Sequence, residues 1–175
     1  MTRLFVILLV AVGGVRRAPG ADAACQPVTE AYKKLTATPV HEYMSESAEY
    51  TAGKTGTSEL VYVNHLTFIQ VGGRWRVSPM SEKDRQGMRD AANDPKRSVT
   101  CKLIGDQAVS GEAAVMYSIH QQTTEDQIDT RVWVSRTRGL PLKDERDVNV
   151  GGMAGKSHRA TRYDYANVQA PAAVR

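Results

Sequence analysis

Glu59-Leu60-Val61-Tyr62-Val63-Asn64-His65-Leu66-Thr67-Phe68-Ile69-Gln70-Val71-Gly72-Gly73-Arg74-Trp75-Arg76-Val77-Ser78 reads as three short strands joined by two tight turns. Glu59 to Val63, Leu66 to Val71 and Arg74 to Ser78 are rich in β-branched and aromatic residues, and Asn64-His65 and Gly72-Gly73 are dipeptides that two-residue hairpins use. Turns of that length fix the register: Val63 falls opposite Leu66, Val61 opposite Phe68, Phe68 opposite Val77, and Gln70 opposite Trp75. The period of two then puts Val61, Val63, Leu66, Phe68, Trp75 and Val77 on one strongly apolar face, expected to be core. Leu60, Tyr62, Thr67, Ile69, Val71, Arg74 and Arg76 share the other. That second face is too apolar for open solvent and too charged for a sealed core. Either a loop or helix covers it, or it lines a groove with a basic rim, in which Tyr62, Ile69, Val71, Arg74 and Arg76 are the candidate ligand-binding residues.

The flanking chain continues in kind. Downstream, Pro79 ends the meander, and Ser81-Glu82-Lys83-Asp84 fits a helix start with Ser81 as N-cap, running to about Asn93 as a peripheral element. Candidate strands follow at Val99 to Ile104, Ala113 to Gln122, Ile128 to Ser135, Leu142 to Val148 and Ser157 to Val168, with turn signals at Gly105-Asp106, Gly111-Glu112, Thr123 to Asp126, Arg138-Gly139 and Gly151 to Gly155. Upstream, Val28, Ala31, Tyr32 and Leu35 make one apolar stripe on a helix from Pro27 to roughly Ala37, which must pack on a sheet. Eight or so strands with short connections and few helices give an α+β chain whose antiparallel sheet is large enough to curl. The Ala/Pro-rich tail from Gln169 to Arg175 is expected to fray.

The first 23 residues look like an export signal. Arg3 gives a basic start, Leu4 to Val12 is an unbroken apolar run, and Ala21-Asp22-Ala23 is a small-x-small cleavage site. The run is about half the ~20 residues needed to span a bilayer, so removal is expected rather than anchoring. The chain is therefore expected in the periplasm or outside the cell, peripheral to a membrane at most. Cleavage leaves 152 of the 175 residues, about one domain, from residue 24 to 168 plus the tail. The formal charge of +4 loses its meaning on cleavage. Removing three basic and one acidic residue from 23 and 19 leaves 20 and 18, scattered along the chain, which argues against a nucleic-acid partner.

Cys25 and Cys101 are the two cysteines, and both lie beyond the cleavage site. In an oxidising compartment they form one disulfide that staples the new N-terminus to mid-chain. The rival reading is a lipidated Cys25, since Ala23-Ala24 has the small residues such a site wants, although Asp22 stands where an aliphatic residue belongs.

No reaction is legible. His41-Glu42 begins a zinc-helix motif but Tyr43, Met44 and Ser45 follow, so the second ligand is missing, and His65, His120 and His158 are isolated. There is no nucleophile elbow or phosphate-binding loop, and Gly151 to Gly155 lacks the surrounding strand-to-helix unit. Asp144, Glu145 and Asp147 cluster with Lys143 and Arg146, which reads as a solvated strand and loop. Neither a metal nor a cofactor is expected, and the chain is not read as an enzyme.

Val132-Trp133-Val134-Ser135, then Gly139-Leu140-Pro141-Leu142-Lys143, then Tyr163-Asp164-Tyr165-Ala166-Asn167-Val168 before Pro171 resemble the C-terminal half of LolA-like proteins. That superfamily includes outer-membrane lipoprotein-sorting proteins. The Glu59 to Pro79 meander and the Gly105 to Tyr117 hairpin look similar too. The resemblance implies a strongly curved antiparallel half-barrel with helices across its concave face and an apolar cavity between them. It implies a protein of the envelope that binds an acyl chain or a lipoprotein without transforming it. The alternative is an interaction or sensor module on the same fold, with its cavity filled by side chains and an envelope protein as partner.

Overall fold

The meander forms with the register its turns dictate. In the computed structural model, which describes residues 23–51, 53–81, 83–85, 98–151 and 155–172, Val63 pairs with Leu66, Val61 with Phe68, Phe68 with Val77, and Gln70 with Trp75. Asn64 and His65 both take positive φ, 52° and 62°, as a tight hairpin turn demands. The elements in chain order are α1 (Gln26–Thr36), β1 (Val40–Ala48), β2 (Thr55–Val63), β3 (Leu66–Val71), β4 (Arg74–Val77), β5 (Ser98–Val109), β6 (Glu112–Gln122), β7 (Asp126–Ser135), β8 (Pro141–Val150) and β9 (Gly155–Asp164). The strands make one antiparallel sheet in the order β4-β3-β2-β1-β9-β8-β7-β6-β5. Two meanders thus meet where β1 pairs with β9.

Several sequence expectations need correction. β1 was not anticipated, because Val-His-Glu-Tyr-Met-Ser-Glu-Ser-Ala carries polar residues on both faces. Gly105-Asp106 is not a turn. β5 runs through it to Val109, with a bulge between Leu103 and Gly105, and the chain reverses at Ser110-Gly111 instead. β9 ends at Asp164, so Tyr165 to Val168 are not strand. Ser81 does cap a helical turn: Asp84 N donates to its Oγ at 3.2 Å while Ser81 N donates to Asp84 Oδ2 at 2.8 Å. The continuation of that helix to Asn93, the leader 1–22, the centre of the Gly151 to Gly155 loop and the last three tail residues lie outside the described residues.

α1 lies across the strands on one face. Its Val28 and Ala31 pack on Tyr117, Val132 and Val134 of β6 and β7, and Leu35 packs on Val40 and Tyr62 of β1 and β2 with Leu140. At its N-terminal end Cys25 is bonded to Cys101 of β5, with a Cα–Cα distance of 5.2 Å, so the two cysteines form the disulfide. These contacts measure the curl. Ten residues of helix from Cys25 to Leu35 span about 15 Å, whereas the six strand intervals from β5 to β2 span about 29 Å along a flat sheet. The helix is the chord of an arc, and the face that it crosses is concave. The curved antiparallel half-barrel is therefore the architecture of the chain, with the one described α-helix across it.

Candidate binding face on the concave margin

Alternation along β3 and β4 assigns the five candidate residues to the concave face. Tyr62 stands in register with Val40 and Thr67, Leu60 with Glu42 and Ile69, Ile69 with Arg76, and Val71 with Arg74. This face is covered in one part and exposed in another. Toward the middle of the sheet it is covered: Tyr62 is 2 % exposed and joins the cluster beneath α1 with Leu35, Val40 and Leu140. Arg85, carried over this face by the helical turn after Ser81, lies with its guanidinium 3.8 Å from the centre of the Tyr62 ring and 3.8 Å from Glu42. Toward the β4 edge the face is open. Ile69 is half-buried, Val71 is 48 % exposed, and Arg74 and Arg76 are exposed. The structure therefore keeps Ile69, Val71, Arg74 and Arg76 together on an accessible strip and places Tyr62 apart from them, beneath α1.

The opposite face of the meander is only partly the expected core. Val61, Val63 and Phe68 are buried there, with Trp75 and Val168 packed against them, but Leu66 and Val77 are 48 % and 57 % exposed. The segment after β9 supplies the cover through Val168, and it does not reach the outermost positions. The main helix packs on the other side.

One functional-looking group was misread from sequence. Asp144 is not solvated but 5 % exposed beneath α1, accepting hydrogen bonds from Tyr32 Oη at 2.7 Å and Tyr163 Oη at 2.5 Å. Burial, and then the Asp144 charge, push the Tyr32 phenol well above its ordinary pKa of 10; burial, with Tyr32 and Asp144 beside it, does the same to Tyr163. Asp144 stands opposite the fully buried Val132, a pairing set by the register shift between Trp133 and Val134 that no turn residue announces. Both phenols and the carboxylate are spent on one another, so the cluster pins α1 to β8 and β9. Of the neighbouring acidic residues, Asp147 is solvated as expected and bridges to His158, whereas Glu145 is half-buried and bridges to Arg131 and Lys143. His41, His120 and His158 each meet one carboxylate, at 2.8, 2.7 and 2.7 Å.

Two open grooves lie elsewhere, and none of the five candidate residues lines either. One of about 520 Å³ sits at the far end of β1, β8 and β9, lined among others by Glu49, Asp129, Asp147, Asn149, Lys156 and His158. The other, of about 540 Å³, flanks α1 beside Lys33, Lys34 and Gly139. Among the described residues no helix is long and apolar enough to cross a membrane.

Fold and site together define a curved antiparallel half-barrel: a single curved sheet, a helix spanning its concave side, and an uncovered concave margin. Solved structures similar to this chain include the lipoprotein LppX from Mycobacterium tuberculosis, at 7 % identity and a TM-score of 0.48 over 84 % of this chain and 98 % of that one. LprF from Mycobacterium bovis is similar at 10 % identity and 0.43, over 88 % and 100 %. A LolA superfamily protein from Nitrosomonas europaea is similar at 8 % identity and 0.29, over 82 % and 91 %. No protein-family model and no curated protein matches the chain.

Proposed function

We propose that this chain is an exported envelope protein that holds an acyl chain, free or as part of a lipoprotein, on the open concave margin and does not transform it. The mature protein begins near Ala24, outside the cytosol, where its disulfide is stable. The observation that carries the reading is the pairing of Ile69 with Arg76 and of Val71 with Arg74 on an accessible strip, which sets aliphatic surface directly beside two guanidinium groups. An acyl chain with an anionic head needs that adjacency. Each buried CH₂ contributes about 0.8 kcal/mol, and a guanidinium forks onto a carboxylate or phosphate. Displacement of a fluorescent fatty acid tests it. Wild-type protein is expected to bind, and Ile69→Asp to weaken binding at least about tenfold, since a charge there stands against the chain. Binding that is absent, or indifferent to that charge, overturns the reading.

One observation favours the second reading, a sensor or interaction module whose interior is filled. The space beneath α1 holds Tyr32, Tyr62, Tyr163 and Tyr165 with Leu35 and Leu140. Mass spectrometry of solvent extracts of the purified protein separates the two, because a filled module yields no stoichiometric lipid.

A further inference from the structure

The two edges of the sheet are not equivalent. β5 is twelve residues long, but the bulge between Leu103 and Gly105 interrupts its ladder, and a bulge turns an edge strand away from an incoming partner. β4 pairs with β3 through four successive partners without a break, and Ser78 N continues the ladder by donating to Thr67 O at 2.7 Å. Among the described residues no strand occupies the other side of β4. Its side chains alternate: Arg74 and Arg76 on the concave face, Trp75 and Val77 on the outer face. Arg131, Arg136, Arg138 and Arg159 each meet a carboxylate, whereas neither Arg74 nor Arg76 has an ion-pair partner among the described residues. Three of the five most exposed large aliphatic side chains, Leu66, Val71 and Val77, also lie on this two-strand margin. Cationic charge, apolar surface and an unpaired strand edge therefore coincide on this two-strand margin.

We propose that the outer edge of β4 docks an extended segment of a partner protein as a tenth strand, and that the segment alternates acidic with apolar residues. Main-chain hydrogen bonds supply the attachment, and the side-chain period of two supplies the selectivity. A residue opposite Arg74 and a second opposite Arg76 lie two apart on the added strand and face the same way, so both must be anionic. The residues between them face outward beside Trp75 and Val77, and are apolar. Edge arginines also serve simply to repel strand addition, and that role predicts the opposite outcome below. No acyl chain takes part, so this docking stands or falls separately from fatty-acid binding.

The test titrates labelled, lipid-free peptides of about eight residues into the whole protein, a length that covers β4 with a margin at each end. One alternates Asp with Val, one has the same composition in two blocks, and one is the alternating peptide methylated on every second backbone nitrogen. The alternating peptide is expected to bind at least about tenfold more tightly than the block peptide, and backbone methylation to abolish binding. The double substitution Arg74→Glu, Arg76→Glu should lose the Asp-Val peptide and gain an alternating Lys-Val one, while Lys102→Glu on the opposite edge changes neither. Both arginines are exposed, so the reversed protein keeps its fold, which circular dichroism checks. Equal binding of alternating and block peptides, an indifferent methylated peptide, or no exchange of charge preference overturns the proposal.

Discussion

Asp144 shows how a single residue can be placed wrongly by its neighbours. In sequence it sits in a run of mixed charges; in the fold it faces Val132 and collects two phenol hydrogen bonds under α1. Hydrogen bonds to a charged, buried acceptor contribute about 1.5–3 kcal/mol each, so Tyr163→Phe is expected to destabilise the protein by that amount at neutral pH. The pH dependence follows from the raised phenol pKa values. Each phenol's contribution is present in full below its unfolded value near 10 and is lost as pH climbs above that toward the folded value, because the unfolded chain releases its proton first. Stability of the wild type should fall in that alkaline window, and more shallowly in Tyr163→Phe. Urea denaturation at a series of pH values reads both effects, and equal slopes in the two proteins would contradict this assignment.

Phe68 and Arg76 test the other residue-scale inference, the two faces of the meander. Phe68 is buried among Val61, Val63, Trp75 and Val168, so Phe68→Ala should cost about 3 kcal/mol or more. Arg76 is exposed, and Arg76→Ala should stay within about 0.5 kcal/mol. Chemical denaturation of the pair decides it, and a larger loss for Arg76→Ala would mean that the faces are exchanged.

At the scale of elements, legibility tracked how local the determining interaction is. The β2–β3–β4 register could be written down because two-residue turns leave no freedom, and α1 because its apolar stripe repeats at helical spacing. β1 escaped notice because it is a central strand whose strip beyond α1 is polar: Glu42 meets Arg85 and Glu46 meets Arg159, both partners being remote in sequence. The bulge in β5 disguised itself as a turn because glycine serves both. Gly105 has a φ of 149°, which suits a break in the ladder as readily as a reversal. The disulfide is the one long-range tie between elements that composition alone suggested. It closes a separation of 76 residues, and removing it as Cys25→Ser with Cys101→Ser should cost about 4 kcal/mol by the chain-entropy relation. Denaturation midpoints with and without the bond measure that. Alkylation of both thiols in unreduced native protein would show instead that the staple is not made.

Across the whole molecule, the curl of the sheet was legible as a class, since many short antiparallel strands must close on themselves, but the distribution of cover over the two faces was not. That distribution depends on which strands become neighbours. The margin bearing Ile69, Val71, Arg74 and Arg76 is open because β4 is an edge and α1 stops at β2; Tyr62 is closed off because it lies under the end of that helix. The same strand order has a temporal consequence. β1 has β2 beside it within a few residues, but its other neighbour is β9, and the Glu46–Arg159 contact joins positions 113 apart. A chain that emerges N-terminus first, from a ribosome or through a translocation pore, therefore carries the central seam of its sheet half-made until β9 appears. Until then the strand destined for the middle is an edge, and what keeps it from the wrong neighbour is the speed with which the C-terminal hairpin arrives.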